Sequence, residues 1–447
     1  MNEPIYADRC LVLGMGSSGT AAAKLLLARG AEVTAVDRSD RSGDLRLIFK
    51  RGEPIRFIWK CGRIPAGEFD LCVVSPGVSS DSPLVREASD RGIRIVSELE
   101  LGWSHLDARV IGITGTNGKS TAVKLCAEMI AAGGMTSVAA GNYGRPLSDV
   151  ALHGPVPEWV VAEVSSFQLE YAGGFAPHLA VLLNIGEDHL DRHSTPAEYA
   201  ALKCRIFENM PQGSTAVIDK DAAGACPATV RDKLKTLITG ASEGCNYCCE
   251  SDRVVSGGRT LQLAGTAFEG EVMGRIAASV WAVADHTGVD RETLERSIRS
   301  FVMLPHRMET VGSKDGRRFI NDSKATNLAA LSAALKMCSG GVRLIAGGVL
   351  KEGKADKIEE FLEMYVKTAY VIGRDAEVLI SCWQDVVECR KCLDMAEAVR
   401  LAWEESAVGD TILLSPGAAS FDAYQNFEQR GDDFKRYALE IIQKEGD

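Results

Sequence analysis

The chain has 447 residues, 46% of them hydrophobic and 25% charged, a globular rather than a disordered balance; at ~150 residues per domain the length suggests about three domains. With 50 Lys and Arg against 61 Asp and Glu, the formal net charge is −11, which argues against general nucleic-acid binding. The longest apolar run, over 276–284 even with Ser279 counted, is far short of the ~20 residues that span a bilayer. The opening Met1-Asn2-Glu3-Pro4-Ile5-Tyr6 has no basic and no apolar signal region. A cytosolic location follows by default, and the 13 cysteines are expected as reduced thiols.

A strand over 10–13 opens the first segment and runs into Gly14-Met15-Gly16-Ser17-Ser18-Gly19. A helix over 20–29 follows and stops at Gly30, a terminating glycine. The next strand, 32–37, ends in Asp37, 18 residues after Gly19. This is a βαβ unit with GxGxxG at its first turn. Taken alone, the motif leaves open a dinucleotide, another phosphate, or a tight turn that binds nothing. Further strands are predicted over 71–74 and 93–96, with Ser75-Pro76-Gly77-Val78 as a strand-end turn. Alternating strands and helices indicate a parallel sheet.

The second segment begins near Ala108. A buried-type strand over 109–113 feeds Thr114-Gly115-Thr116-Asn117-Gly118-Lys119-Ser120-Thr121. An amphipathic helix follows, with Val123, Leu125, Cys126, Met129 and Ile130 inward, and stops at Gly133-Gly134. Glycines let backbone N–H groups face a polyphosphate, and Lys119 adds charge near its outer phosphates. The hydroxyl of Ser120 or Thr121 can hold Mg2+. The strict GxxxxGK[ST] spacing is not met, because Ile113 stands where the first glycine belongs. Strand and helix on the correct sides still favour a phosphate loop over a plain glycine turn. Later strands are predicted over 159–162 and 179–184, and 240–270 reads as a strand-and-loop excursion. The third segment, after Leu304-Pro305-His306-Arg307, alternates again, with strands over 343–346, 369–372 and 411–414. The expected domains are 1–107, 108–304 and 305–447.

In this order, TGTNGKST over 114–121, Gly141-Asn142-Tyr143-Gly144, EVSSFQLE over 163–170 and NIGEDHLDRH over 184–193 resemble the Mur ligases. These are ATP-dependent amide-forming enzymes of peptidoglycan precursor synthesis. LPHR over 304–307, NDSKATN over 321–327 and LSPGAASFDAYQNFEQRGDDF over 414–434 look like the branch that adds D-glutamate. The Asp-Asn-Pro-Arg motif of the branch adding the third residue is absent.

The resemblance implies an α/β protein of three domains: an N-terminal Rossmann-like domain, a central P-loop-type ATPase domain and a C-terminal Rossmann-like domain. It implies three small-molecule substrates, ATP, UDP-N-acetylmuramoyl-L-alanine and D-glutamate, handled by a monomer with no nucleic-acid partner and no membrane span. Gly14, Gly16, Ser17, Ser18, Gly19, Ser75 and Gly77 would hold the uridine diphosphate, with Asp37 and Arg38 near the uracil. Gly115, Thr116, Asn117, Gly118, Lys119, Ser120 and Thr121 would receive ATP, with Arg307 and Lys324 on its phosphates and Asp322 on its ribose.

Two Mg2+ ions are expected on Ser120, Glu163, His189 and a carbamate formed on Lys203, imidazole being an unusual ligand for so hard an ion. Without the resemblance Lys203 reads as a surface lysine of a helix. Lys119, Asn142, His189 and Lys203 are the implied catalytic set, Asn142 supporting the muramoyl-alanine carboxyl or the γ-phosphate. D-glutamate maps to Thr326, Lys351, Ser420 and Phe427.

The chain departs from the family pattern twice. Where the family has a Gly-x-His-Asn-x-x-Asn helix start, this chain reads Met273-Gly274-Arg275-Ile276-Ala277-Ala278-Ser279 and is shorter. Ile276 can stack on adenine but supplies no amide hydrogen bonds, so no adenine-contact residue is assigned. In Gly347-Gly348-Val349-Leu350-Lys351-Glu352-Gly353-Lys354, Leu350 stands where an aspartate is usual, and the extra length lets Lys354 replace Lys351. Cys245/Cys248 and Cys389/Cys392 have CxxC spacing outside the family pattern and read as incidental thiols rather than zinc ligands. A zinc site from Asp188, His189, Asp191 and His193 is set aside beside the phosphate machinery. Three other readings remain: a related ligase for another amino acid, such as a folate-glutamate ligase; a degenerate nucleotide-binding protein; and an NAD-dependent oxidoreductase, which leaves TGTNGKST and DHLDRH unexplained.

Overall fold

The apolar runs become the strands of three separate sheets in the computed structural model, which describes residues 3–45, 48–186, 195–241, 243–338, 340–350 and 355–444. The chain gathers into two compact units, one from Met1–Ile185 and Ala197–Ser300, the other chiefly from Phe301–Asp447. The first unit holds two of the sheets.

Its N-terminal sheet contains β1 (Arg9–Leu13), β2 (Glu32–Asp37), β3 (Ile55–Trp59), β4 (Leu71–Val74) and β5 (Arg94–Ser97), all parallel, in the order β3-β2-β1-β4-β5. Cys10 and Val12 pack into the core on one face, Leu11 and Leu13 into that on the other. Burial on both faces is why the central strands β1 and β4 read as unbroken apolar runs. Sequential strands run outward on opposite sides of β1, so the turns after β1 and β4 part and leave a crevice at their C-terminal ends. Helix α1 (Ser17–Ala28) begins inside the glycine motif, three residues before the predicted start, because extended Gly16 serves as its N-cap.

The second sheet contains β6 (Arg109–Thr114), β7 (Ser137–Gly141), β8 (Trp159–Glu163), β9 (Leu179–Leu182), β10 (Thr215–Asp219), β11 (Lys235–Gly240), β12 (Tyr247–Cys249), β13 (Arg253–Ser256) and β14 (Arg259–Gln262). Its order is β14-β13-β12-β11-β10-β9-β6-β8-β7. The last three short strands are the predicted excursion, and their two pairings are antiparallel. Register sets Ile113 beside Glu163 and Thr114 beside Leu182, so β8 and β9 deliver their C-terminal ends to either flank of the loop after β6. That loop opens helix α2 (Lys119–Ala132); α3 (Pro196–Cys204) lies in the connection from β9 to β10, and α4 (Glu271–Thr287) follows β14.

The second unit carries β15 (Glu309–Lys314), β16 (Arg317–Asn321), β17 (Val342–Gly347), β18 (Val366–Ile372), β19 (Glu388–Lys391) and β20 (Thr411–Leu414), ordered β15-β16-β20-β17-β18-β19, and ends in α5 (Phe427–Gln443). The β15–β16 hairpin turns at Asp315-Gly316, both in the left-handed region. No helix is long and apolar enough to cross a membrane among the described residues.

Candidate active site

The crevice of the first sheet is a cavity of about 550 Å³ lined by Gly14, Gly16, Ser17, Ser18, Asp37, Arg38, Ser75 and Gly77, with Asn142 and Gly144 of the second sheet. Backbone hydrogen bonding shapes it. Asp37 accepts from the Met15 N–H at 2.7 Å and from the Ser39 N–H at 2.8 Å, and the Ser75 hydroxyl donates to the Gly14 carbonyl at 2.7 Å. Arg38 donates to the Ser82 hydroxyl at 3.1 Å, and Arg41, which the sequence reading missed, donates to the Met15 carbonyl at 3.1 Å. Two guanidinium groups thus face a glycine turn at a helix N-terminus, an arrangement suited to phosphate. Gly19 does not line the cavity. A Cβ there would stand 1.8 Å from the Gly14 carbonyl oxygen, so its part is to let α1 approach the turn.

The second sheet's loop gathers two lysines. Gly118, at φ +81°, caps α2. The Lys119 ammonium donates to the carbonyls of Gly115 and Thr116, each at 2.8 Å. Lys203 is 1% exposed, not a surface residue, and its ammonium donates to the same Gly115 carbonyl at 2.8 Å while lying 4.3 Å from the Tyr199 ring centre. Two ammonium groups on one acceptor repel each other.

Glu163, 2% exposed at the end of β8, accepts from the Ser120 hydroxyl at 2.5 Å and from the Asn142 amide at 2.8 Å. The hydroxyl and carboxylate are hard oxygen donors of the kind Mg2+ takes. His189 lies outside the described residues. Among the described residues no three His, Cys, Asp or Glu side chains converge as a metal site. Asn142 is held by its neighbours: a Cβ on Gly141, at φ +92°, would stand 2.2 Å from the Glu163 carbonyl oxygen, which accepts from the Asn142 N–H at 3.0 Å.

Asn184 is a site residue to which the sequence reading gave no role. Its carbonyl oxygen accepts from the Thr116 and Asn117 N–H groups at 3.0 and 2.9 Å, and its amide donates to the Asn117 carbonyl at 3.0 Å. It braces the loop from the β9 side. Ile276 is 6% exposed, and its Cδ1 would lie 2.7 Å from a Cβ on Gly118, so it packs under the loop. Beside it Arg275 pairs with Asp219 at 3.7 Å, Glu271 at 3.8 Å and Asp221. Burial pushes the Asp219 carboxyl up to about 6, against the pull of Arg275.

In the second unit, Asp322 follows β16 with both oxygens used: it accepts from the Ser415 hydroxyl at 2.9 Å and the Met308 N–H at 3.1 Å, and burial pushes it up to about 7. Lys324 lies 3.7 Å from the Phe427 ring centre. Arg430, 1% exposed, binds the Ser323 hydroxyl at 3.0 Å, the Ser323 carbonyl at 2.9 Å and the Ala418 carbonyl at 3.0 Å. It thereby gathers the segments that carry Thr326, Ser420 and Phe427. Lys351 and Lys354 lie outside the described residues; the Leu350 N–H donates to Asp375 at 2.8 Å.

Sheets of this topology, with a charged phosphate loop and a separate glycine-turn cavity, define a multidomain α/β protein of the nucleotide-dependent kind. Residues 8–97 match the family model for the Mur ligase MurD-like N-terminal domain, 113–257 the Mur ligase middle domain, and 306–417 the Mur ligase glutamate ligase domain. The chain is 37% identical over 446 residues to the UDP-N-acetylmuramoylalanine–D-glutamate ligase of Geobacillus kaustophilus, covering 95% of this chain and 96% of that one. It is 34% identical over 447 residues to the ligase of the same name from Desulfotalea psychrophila, covering 96% and 95%. A solved structure, MurF ligase from Thermotoga maritima in complex with ADP, shares the fold with a TM-score of 0.63 at 16% identity over 98% of this chain and 96% of that one. The chain belongs to the Mur ligase family, in its UDP-N-acetylmuramoylalanine–D-glutamate ligase branch.

Proposed function

We propose that this chain joins D-glutamate to UDP-N-acetylmuramoyl-L-alanine with ATP, releasing ADP and phosphate. One observation carries the reading: Asn142 lines the N-terminal cavity and holds Glu163, which in turn holds Ser120 of the phosphate loop. An acid–amine ligase needs this adjacency, because a substrate carboxylate must meet a γ-phosphate.

The alanine carboxylate attacks the γ-phosphorus, giving an acyl phosphate and ADP. The D-glutamate amine adds to the acyl carbon, loses a proton and expels phosphate. Lys119 and the N-terminus of α2 offset charge on the transferring group, where alignment and charge do most of the catalysis. Asn142 orients the carboxylate. Ser120, Glu163 and His189 would hold Mg2+, which supplies further neutralisation of the phosphates. As a carbamate, Lys203 would become an anion able to help hold a second Mg2+, which would add to the neutralisation of the phosphates. The cavity of Gly14, Gly16, Ser17, Ser18, Asp37, Arg38, Ser75 and Gly77 takes the uridine diphosphate. Arg307, Asp322 and Lys324 are assigned to ATP, and Thr326, Ser420 and Phe427, with Lys351 or Lys354, to D-glutamate. The reading uses domains at 1–107, 108–304 and 305–447 and a cytoplasmic monomer.

Phosphate release measured with each substrate omitted in turn tests it. Release is expected only with all three present; release without D-glutamate, or with another amino acid in its place, would overturn the assignment. Lys203→Ala should be nearly inactive and partly restored by short carboxylates, and indifference to them would count against the carbamate.

A further inference from the structure

Two thiols beside this machinery have no part in the reading above. Cys204 ends α3 and directly follows Lys203. Cys226 follows the single turn Ala223–Ala225 and precedes Pro227. Their sulfurs lie 3.2 Å apart, and the Cys204 sulfur is also 3.5 Å from the Ala225 carbonyl. Both residues are buried, at 5% and 6% exposure, in one apolar cluster with Ile206, Phe207 and Ala222. The sulfurs therefore face each other in a packed setting, and a disulfide at about 2.05 Å asks for an approach of only about 1.2 Å. Cys226 sits in a short surface turn, between exposed Ala225 and exposed Pro227, so the pair lies close to solvent.

We propose that Cys204 and Cys226 are a modification site for peroxide, joining as a disulfide that switches the ligase off through Lys203. Each thiol loses one proton and one electron. The S–S bond forms as the O–O bond of hydrogen peroxide breaks, and the peroxide leaves as two waters. A dithiol reductant reverses the change. Cytosolic disulfides, where they occur, are usually transient and catalytic or redox-sensing. The coupling is short: drawing Cys204 toward Cys226 moves the last turn of α3, which carries Lys203 to the Gly115 carbonyl at 2.8 Å. A displacement near 1 Å in a catalytic group costs on the order of 10²-fold in rate. The switch rests on the ligase reading, whereas the disulfide does not.

The full chain is treated with hydrogen peroxide, its remaining thiols are alkylated, and its peptides are mapped by mass. Phosphate release is followed before treatment, after it, and after dithiothreitol. A Cys204–Cys226 cross-linked peptide, two hydrogens lighter than the pair, is expected, with turnover falling about 10–100-fold and returning on reduction. Cys226→Ser and Cys226→Ala should keep basal turnover and lose most of the sensitivity. Both cysteines alkylated after peroxide would overturn the disulfide. Cross-linking with unchanged turnover, or equal peroxide sensitivity in folded Cys226 variants, would overturn the switch. Untreated enzyme that releases no phosphate with all substrates present would instead overturn the ligase reading, and the peptide map would still decide the disulfide.

Discussion

The two glycine turns of the first unit share a backbone plan. A buried parallel strand ends, a left-handed glycine follows (Gly14 at φ +84°, Gly118 at φ +81°), and a helix begins within a few residues. Their side chains then diverge. The N-terminal turn spends its Met15 N–H on Asp37 and its Gly14 carbonyl on Ser75, and stays open as a cavity with two arginines at its edge. The central turn is crowded: two ammonium groups share the Gly115 carbonyl, Asn184 takes two loop N–H groups, and Glu163 takes the Ser120 hydroxyl. Glycine spacing specifies the turn; residues distant in sequence decide whether it stays open as a cavity or gathers charged groups.

Changes on either turn test that separation. Lys119→Ala should lower phosphate release by about 10²–10³-fold, the scale of losing one charge-stabilising donor. Calorimetry should find UDP-N-acetylmuramoyl-L-alanine binding unchanged; equal loss on both ligands would erase the distinction.

Gly19→Ala is the converse change. Its Cβ meets the Gly14 carbonyl at 1.8 Å, so α1 must shift. Overpacking of this kind costs about 1–3 kcal/mol. A lower Tm and a higher KM for the UDP substrate are expected, with the KM for ATP unmoved.

Asn184→Leu keeps the size and removes the side-chain acceptor of the partly buried Asn117 N–H, while the Thr116 N–H keeps the Asn184 backbone carbonyl at 3.1 Å, a cost of about 1 kcal/mol. The KM for ATP should rise roughly fivefold at that cost, with little change in kcat or in the KM for the UDP substrate. A fall in kcat alone would mean that Asn184 acts on the chemistry rather than on the loop.

A further test, read in stability rather than turnover, lies where the two sheets of this unit join. Glu98 accepts from the Ser148 N–H at 2.7 Å, its second oxygen is buried without a partner among the described residues, and burial holds the carboxyl up at about 7, against an ordinary 4.5. Between those values the native state keeps a proton that the unfolded chain has released. The stability from this group is therefore complete below about pH 4.5 and is lost as pH rises through 7. Glu98→Gln should flatten Tm against pH over that window and exceed the parent above pH 7; parallel curves would show that Glu98 is not the group responsible.

Much of this architecture was legible from local pattern. The phosphate loop announced itself because glycines, Lys119 and the flanking strand and helix are contiguous. Strands β7 and β19 escaped as sheet edges with partly exposed residues. Strands β3, β10, β11, β15 and β16 went unpredicted too, although β10 is buried throughout and β3 is apolar at all but Arg56. Short apolar runs away from any motif do not by themselves distinguish strand from helix. Lys203 was misplaced by composition alone: helical lysines are mostly solvated, and only packing buries this one beneath the loop. Asn184 was invisible in its role because its partners lie 67 and 68 residues away. Arg430 is the same case, a cation whose donors are consumed by carbonyls and a hydroxyl from 12 to 107 residues away.

By itself the sequence determined the alternation of strand and helix, the places where backbone must turn left-handed, and the order of motifs that defines the family. These depend on neighbours in the chain, through steric limits on φ and the period of apolar residues. Only the tertiary structure decided that the weak N-terminal glycine motif opens onto a cavity shared with Asn142, that Lys119 and Lys203 meet on one carbonyl, and that Cys204 and Cys226 touch. Parallel register brings strand ends together whatever their separation along the chain, and charge, metal affinity and thiol chemistry all depend on distances that no local pattern contains.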